Sequence, residues 1–228
     1  MRTSVFGPVA AVLLGVYLVG CGGGGDSSSP PPSSGNPPPV TPPVTPPVGT
    51  TVPPQAATAI NLDDNHAVGV DHWGSGNTAE GASGDPVQGL NCEINMDETY
   101  HVHTHLSIFL NGEALAIPPE IGIVETRPGV NCFYSIHTHD KSGKIHVEAP
   151  APGLFTLGQL FAIWGQNLST TDIAGLTGMP VTVYTTDDGV VSVATGDWHN
   201  IELASHREIT IQVGTAITEI PNFTWSAH

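Results

Sequence analysis

Six histidines are concentrated between residues 101 and 146, in three short clusters. The clusters are His101-x-His103-x-His105, His137-x-His139 and the single His146. In a β-strand, residues two apart point to the same face, so each His-x-His motif predicts a row of imidazoles on one side of a sheet. Because imidazole is the commonest metal ligand among protein side chains, this pattern indicates a histidine-walled metal site.

The turn between residues 139 and 144 determines which histidines can share an ion. Asp140-Lys141-Ser142-Gly143 is typical of a four-residue hairpin loop, and a loop of that length places His137 opposite His146. Opposed residues on neighbouring strands have Cβ atoms ~5 Å apart, and residues i and i+2 are ~6.6 Å apart. Both separations suit a shared ion with metal–nitrogen distances of ~2.0–2.1 Å. His137, His139 and His146 are therefore predicted to face one metal, with Glu148 on the same face.

The first run of histidines is too long for all three to bind that ion, because His101 and His105 lie ~13 Å apart along an extended strand. We expect His103 and His105 to join the three downstream histidines, since they enter the apolar half of the strand. His101 is left for a second ion, a proton shuttle or solvent. His206 is a further candidate ligand between two predicted strands.

The ligand types leave the metal and its use open. Imidazole ligation favours copper, which binds such sites most tightly in the divalent series, and zinc or iron are the alternatives. A closed site would capture, buffer or deliver the metal, whereas an open coordination position would make a metalloenzyme. In an enzyme, Asp140, Glu148 and His101 are the acid–base candidates, but no feature of the sequence selects a reaction. A structural or adhesion module with incidental histidines is the third interpretation.

The first twenty residues are typical of a bacterial export signal. Met1-Arg2 precedes an apolar run that is shorter than a membrane span of ~20 residues but fits a signal-peptide core. Leu18-Val19-Gly20-Cys21 resembles a lipobox, in which the cysteine is lipidated and becomes the mature N-terminus. We expect residues 1–20 to be cleaved and Cys21 to anchor the chain in the bacterial envelope, with ordinary cleavage as the alternative. Gly22 is not an aspartate-type retention signal, so the outer membrane is favoured.

A Pro-rich segment follows the predicted lipid anchor. Residues 21–57 include the repeat Thr-Pro-Pro-Val at 41–44 and 45–48, which favours extended polyproline geometry and cannot pack a core. We interpret this segment as a disordered linker. The net charge of −16 argues against nucleic acid and against charge-driven binding to an anionic membrane, so the metal ion and the lipid anchor are the expected partners.

Cys92 and Cys132 remain once Cys21 is assigned to lipid. An isolated pair of cysteines in an oxidising compartment usually forms a disulfide. Closing a loop of about 40 residues would contribute roughly 4 kcal/mol in the chain-entropy model. Metal ligation by a thiolate and a free thiol are the alternatives.

Residues 58–228 are long enough for one globular domain with its own core. Strand patterns recur at Tyr100–Leu110, 113–117, 121–125, 133–139, 144–148, 181–186, 190–195, 201–203 and Glu208–Val213. One helix is predicted, with Thr156 as N-cap and Gly165 near its end. The predicted fold is mainly β, an antiparallel sandwich or barrel-like domain, or α+β with one packed helix.

The central motifs also resemble an uncharacterised family of exported bacterial proteins. The resemblance covers roughly residues 85–225 and is carried by Tyr100-His-Val-His-Thr-His-Leu, by Ile-His-Thr-His-Asp140 and by Lys-Ile-His-Val-Glu148. It implies a domain with these limits and supplies no activity. The paired His-x-His motifs are loosely similar to those of multicopper oxidases and α-type carbonic anhydrases, but the full ligand patterns of both families are absent.

Overall fold

The computed structural model describes residues 54–75, 81 and 83–225. The predicted signal peptide, the lipidation site Cys21 and most of the predicted linker lie outside the described residues. The described residues belong to one compact unit, Gly49–His228. None of the helices in this part of the chain is long and apolar enough to cross a membrane.

Strands dominate the described residues and one α-helix packs on them, which confirms the predicted mainly β fold. The strands are β1 Gln55–Ala56, β2 Ile60–Leu62, β3 Cys92–Glu93, β4 Tyr100–Leu110, β5 Glu113–Leu115, β6 Ile123–Arg127, β7 Val130–Tyr134, β8 Ile136–His137, β9 Lys144–Ala149, β10 Asp172–Ile173, β11 Leu176–Thr177, β12 Val181–Asp187, β13 Val190–Val193, β14 Glu208–Val213, β15 Glu219–Ile220 and β16 Phe223–Trp225. The helix α1 is Leu157–Trp164, and Trp198–Asn200 forms one 3-10 turn.

The largest sheet is built around the long strand β4. Its order is β13-β12-β14-β4-β9-β8, and β5 pairs with the distal end of β4 through the Asn111-Gly112 turn. The neighbours are antiparallel except β14, which runs parallel to β4. A parallel pair needs a long crossover, and here nearly a hundred residues of chain separate the two strands.

The β8–β9 hairpin has the register that its loop length predicts. His137 lies opposite His146, and on the other side of β9 His146 lies opposite His103 of β4. Because opposed residues share a face, His103, His146 and His137 form a row across three neighbouring strands. Ile145 and Val147 alternate with His146 along β9 and are fully buried in the hydrophobic core. The register therefore sends the histidines to one face and the core residues to the other.

The helix α1 begins and ends where the sequence predicts. The Thr156 side chain accepts a hydrogen bond from the Gln159 backbone N–H, and the Gln159 side chain accepts one from the Thr156 N–H, which completes a capping box. Gly165 ends the helix in the left-handed conformation, at φ 73°. Leu157 and Leu160 are fully buried, so the helix packs its apolar face on the sheet.

A smaller sheet of order β3-β7-β6 stands beside the histidine-bearing strands. Its strands β3 and β7 are joined by the predicted disulfide between Cys92 and Cys132, whose Cα atoms are 5.3 Å apart. The Tyr134 hydroxyl donates to the Asp85 carbonyl at 2.6 Å and ties the preceding loop to β7. The disulfide and this bond fix residues 85–93 against the main body of the domain.

Two local predictions are wrong. Residues 201–203 do not form a sheet strand, because they pair backbone to backbone with the residues around Thr156 just before α1. Gln55–Ala56, assigned to the linker, form β1 and pair with β15 near the other end of the chain. In both cases the pairing partner is distant in sequence, so local patterns did not indicate it.

Candidate metal centre

Imidazole nitrogens converge where β4, β9 and β8 lie side by side. His103 Nε2 is 3.0 Å from His146 Nδ1, and His101 Nε2 is 3.0 Å from His103 Nε2. On the β8 side, His137 Nε2 is 3.2 Å from His139 Nε2. The pleat explains this convergence, since residues two apart and residues opposed across strands all project from the same face.

The Glu148 carboxylate lies at the centre of these nitrogens. Its Oε1 is 3.2 Å from His101 Nε2, 3.4 Å from His146 Nδ1 and 3.8 Å from His137 Nε2. Two overlapping groups have all their ligand atoms within 4.8 Å of one another: His137, His139, His146 and Glu148, and His101, His103 and His146. His146 belongs to both groups and joins them into one cluster.

The spacing of the cluster suits metal coordination. Two ligand atoms bound at ~2.0–2.1 Å to one tetrahedral ion are about 3.4 Å from each other. The nitrogen–nitrogen and nitrogen–oxygen separations of 3.0–3.8 Å in the cluster scatter around that value. Small side-chain adjustments are therefore enough for several of these atoms to hold one ion. A mixed imidazole and carboxylate set suits copper, zinc or iron.

His137 is oriented for ligation by its second ring nitrogen. Its Nδ1 donates to the Tyr134 backbone carbonyl at 3.0 Å, which leaves Nε2 as the unprotonated nitrogen that faces the cluster. Gly122 makes room for this arrangement, because at φ +76° a Cβ on it would lie 2.4 Å from the Ile136 carbonyl oxygen and 3.2 Å from His137 Cβ. The ring that anchors the β8 side of the cluster is thus fixed by backbone contacts.

The exposure of the histidine side chains increases from His137 on β8 toward the edge of the cluster. His137 is fully buried and His103 is 7% exposed, whereas the side chains of His146 and His101 are 15% and 32% exposed. His139 lies at the surface. This gradient gives an ion a path from solvent to the buried ligands.

The surroundings of the cluster lower the pKa values of His137, His139 and Glu148. Burial lowers the pKa of His137 to about 4, and the charges of His139 and His146 add to this effect while Glu148 opposes it. Burial and the charge of His146 also lower the pKa of His139. Burial alone would raise the pKa of Glu148, but the His146 hydrogen bond and the charges of His137 and His101 lower it below the usual range. Neutral imidazoles and an ionised carboxylate are the forms that bind metal.

His105 is not brought to the cluster, although the sequence favoured it with His103. Its Nε2 donates to the Ser142 backbone carbonyl at 2.8 Å, its Nδ1 lies 3.4 Å from Ser107 Oγ, and its ring packs on Phe223 with centroids 4.1 Å apart. Both nitrogens are occupied, and burial lowers the pKa of the ring to about 4. The structure brings His103 together with His101 instead, so it does not bring the predicted inner pair to one site.

His206 and Asp140, two further candidates from the sequence, also lie outside the cluster. The ring of His206 stacks on Trp225 with centroids 5.0 Å apart, and only its backbone N–H reaches the His103 carbonyl, at 2.7 Å. Asp140 accepts from the Ser142 N–H through Oδ1 and from the Asn65 N–H through Oδ2, so its carboxylate stabilises the turn. These hydrogen bonds lower its pKa although burial opposes them.

Sequence reasoning found every residue of the cluster but assigned two of them to other roles. Glu148 was an acid–base candidate and His101 was left outside the main site. Alternation along β9 places Glu148 on the face of His146, and pairing with β4 sets it opposite His101. The β8–β9 hairpin could be predicted from its loop, but the β4–β9 register has no local sequence signal.

Comparison with protein-family models, curated proteins and solved structures finds no match for this chain.

Proposed function

We propose that this protein binds one transition-metal ion through the cluster of His101, His103, His137, His139, His146 and Glu148, in order to capture, buffer or deliver the metal. The observation that carries the proposal is the convergence of imidazole nitrogens around Glu148 Oε1, 3.2–3.8 Å away. A buried carboxylate and buried imidazoles are costly without partners, and a shared cation would satisfy both. Copper is the favoured ion because it binds nitrogen and oxygen ligands most tightly in the divalent series.

Elemental analysis of the untagged protein, followed by titration with Cu(II), Zn(II) and Fe(II), tests this proposal. We expect about one tightly bound ion per chain. His146→Ala should abolish tight binding, because His146 is common to both ligand groups. His66→Ala is the matched control, since His66 is exposed and outside the cluster. A protein that stays empty with all three metals, or one in which both substitutions act equally, would contradict the proposal.

A metalloenzyme is the second candidate, and the position of Glu148 favours it. The same residue lies among the histidines and is one of those that line a cavity. Imidazoles with one carboxylate are a ligand set of iron oxygenases and zinc hydrolases, in which substrates approach an open coordination position. An exchangeable water on the bound metal, detected by water-proton relaxation of the Cu(II) form, would support an enzyme, and a coordinatively saturated ion would exclude it.

We also propose that the domain is held in the bacterial envelope by lipid on Cys21, with the outer membrane favoured. The lipobox-like Leu18-Val19-Gly20-Cys21 supports this location. Cys21→Ser should move the protein from the membrane fraction to the soluble fraction without changing the metal affinity of the domain. If both forms fractionate equally, the proposal of a lipid anchor is contradicted, and the proposal of a metal site is unaffected.

A further inference from the structure

A cavity of about 520 Å³ opens directly beside the histidine cluster. Its walls are residues 89–91 and 93, the loop at 95–97, the end of β7 with Ser135, and the segment from Glu148 to Ala151 together with Phe155. This volume lies within the range of small-molecule sites, roughly 300–1,000 Å³. The geometry points to a binding site for a small organic cation, an amine with an apolar body, next to the metal centre.

Glu148 connects the cavity to the cluster. Its Oε1 faces the histidine nitrogens, as the distances of 3.2–3.8 Å show, and the residue also lines the cavity. Its Oε2 is buried and has no hydrogen-bond partner. A buried carboxylate oxygen without a donor is costly. An ammonium group in the cavity would place a positive charge next to this carboxylate and offset part of that cost.

The other lining residues favour the same kind of ligand. Glu93 and Asp97 add two carboxylates, and no lysine or arginine lies among the lining residues. Asp97 Oδ1 already accepts hydrogen bonds from the backbone N–H and the hydroxyl of Thr99, so Glu93 is the carboxylate more available to a ligand. The aromatic rings of Phe133 and Phe155 supply apolar surface and faces that attract cations. A carboxylic acid of the same shape would be repelled by these carboxylates.

The wall that carries Glu93 is fixed before any ligand binds. Glu93 pairs with Phe133 and Cys92 pairs with Tyr134 across β3 and β7, and the disulfide to Cys132 locks this pairing. Because this wall is preformed, ligand binding does not lose the conformational entropy that ordering a loop would cost. The cavity is therefore expected to bind without rearrangement of the backbone.

Binding of the amine does not depend on the proposed metal, and only its position beside a metal rests on the proposed function. The first test therefore uses the full-length protein after removal of metals with EDTA. The probe is 2-phenylethylamine, with uncharged 2-phenylethanol and anionic 3-phenylpropionate as matched controls, and binding is followed by calorimetry and NMR. We expect the amine to bind saturably, the alcohol to bind several-fold more weakly and the acid not to bind.

Two substitutions locate the site. Ala151→Trp should fill the cavity from its exposed wall and abolish amine binding, whereas Ala216→Trp, exposed and outside the cavity, should leave it unchanged. Glu93→Gln should weaken the amine several-fold, and Glu113→Gln, exposed on β5, should not. Thermal melting of each variant verifies that it is folded.

Repeating the amine titration with the metal-loaded protein tests whether Glu148 couples the cavity to the metal cluster. We expect the amine affinity to change when the metal is bound. No amine binding, equal binding of amine and alcohol, or undiminished binding to Ala151→Trp would each overturn the inference. Amine binding to a protein that takes up no metal would support this site and contradict the proposed function. Metal binding without amine binding would support the proposed function and contradict the amine site.

Discussion

His103 and His105 lie two residues apart on the same face of β4, yet their surroundings differ completely. Around His103, the neighbouring strands supply His146, Glu148 and, one strand farther, His137, so that nitrogens and a carboxylate converge. Around His105, they supply Lys144 and the Ser142 carbonyl, and the ring of Phe223 covers the imidazole. The cross-strand partners, and not the residue type or its spacing, distinguish a candidate ligand from a structural histidine.

His105 and His137 refine this comparison, because both rings are buried and both donate to a backbone carbonyl. Burial lowers both pKa values to about 4. The second nitrogen of His137 faces other histidines and Glu148, whereas that of His105 meets the Ser107 hydroxyl. Burial is thus equal in the two rings but the tautomers differ, since His105 donates through Nε2 and His137 through Nδ1. The surroundings of the second nitrogen separate the candidate ligand from the core residue.

Among the substitutions that compare the two ends of β4, the largest expected effect is that of His103→Ala on metal affinity. Sites with four ligands gain about 10–16 kcal/mol from a structural ion, so the loss of one ligand should raise the Kd about a hundredfold or more. Competition titration against a chelator of known affinity measures this change. Ser107→Ala, farther along the same face, is the control and should keep the affinity within about threefold. Equal losses in the two variants would remove the distinction between the two ends of β4.

The pH dependence of folding stability at Glu208 tests the surroundings that the structure assigns to His105. Glu208 lies opposite His105 in the β14–β4 register, and its Oε1 accepts the Phe223 N–H at 2.8 Å. Burial raises the pKa of Glu208 from 4.5 to about 7, and the Phe223 hydrogen bond opposes this shift. Between these pH values the folded state holds a proton that the unfolded state has lost, so the stabilising contribution is complete below pH 4.5 and declines as the pH rises toward 7.

Glu208→Gln should therefore be more stable than the original protein at pH 8, by up to about 3 kcal/mol at ~1.4 kcal/mol per pKa unit. Below pH 4.5 the difference should vanish. Urea unfolding at pH 4 and pH 8 measures both values, and the metal-free protein avoids a contribution from the cluster. A difference that does not change with pH would contradict a buried, protonated Glu208.

His105→Gln should lower the free energy of unfolding by roughly 2 kcal/mol, because the ring's packing on Phe223 and its well-aligned bond to Ser142 are lost. Metal affinity should stay within about threefold of the original value. Gly143 supports this assignment, since a Cβ there would lie 2.7 Å from His105 Nε2 and the close fit requires glycine. A large loss of metal affinity with unchanged stability would reverse the roles assigned to the two histidines.

The smallest expected effect is that of His101→Ala. His101 lies at the rim with its side chain 32% exposed, and His103 and His146 remain in its absence. We expect the metal Kd to rise about tenfold, as for partners at the edge of a site. The same competition titration measures it, and a loss as large as that of His103→Ala would place the ion nearer to the rim of the cluster than to β8.

Local sequence signals predicted the parts of this fold that form between near neighbours. The four-residue loop gave the pairing of His137 with His146, and the Thr156 capping box gave the start of α1. The parallel pairing of β14 with β4 and the packing of Phe223 on His105 join residues more than a hundred positions apart. Such contacts follow from the packing of the whole domain and leave no periodic pattern in the strand, which is why the sequence could not separate His103 from His105.

The most direct test is anomalous diffraction from crystals of the protein loaded with Cu(II) or Zn(II). We expect one anomalous peak at ~2.0–2.2 Å from a ligand atom of His146 and from ligand atoms of at least two of its neighbours His103, His137 and Glu148, with none near His105. A peak on His105, or crystals that show no bound metal after loading with copper, zinc and iron in turn, would contradict the assignment of the cluster as a metal centre.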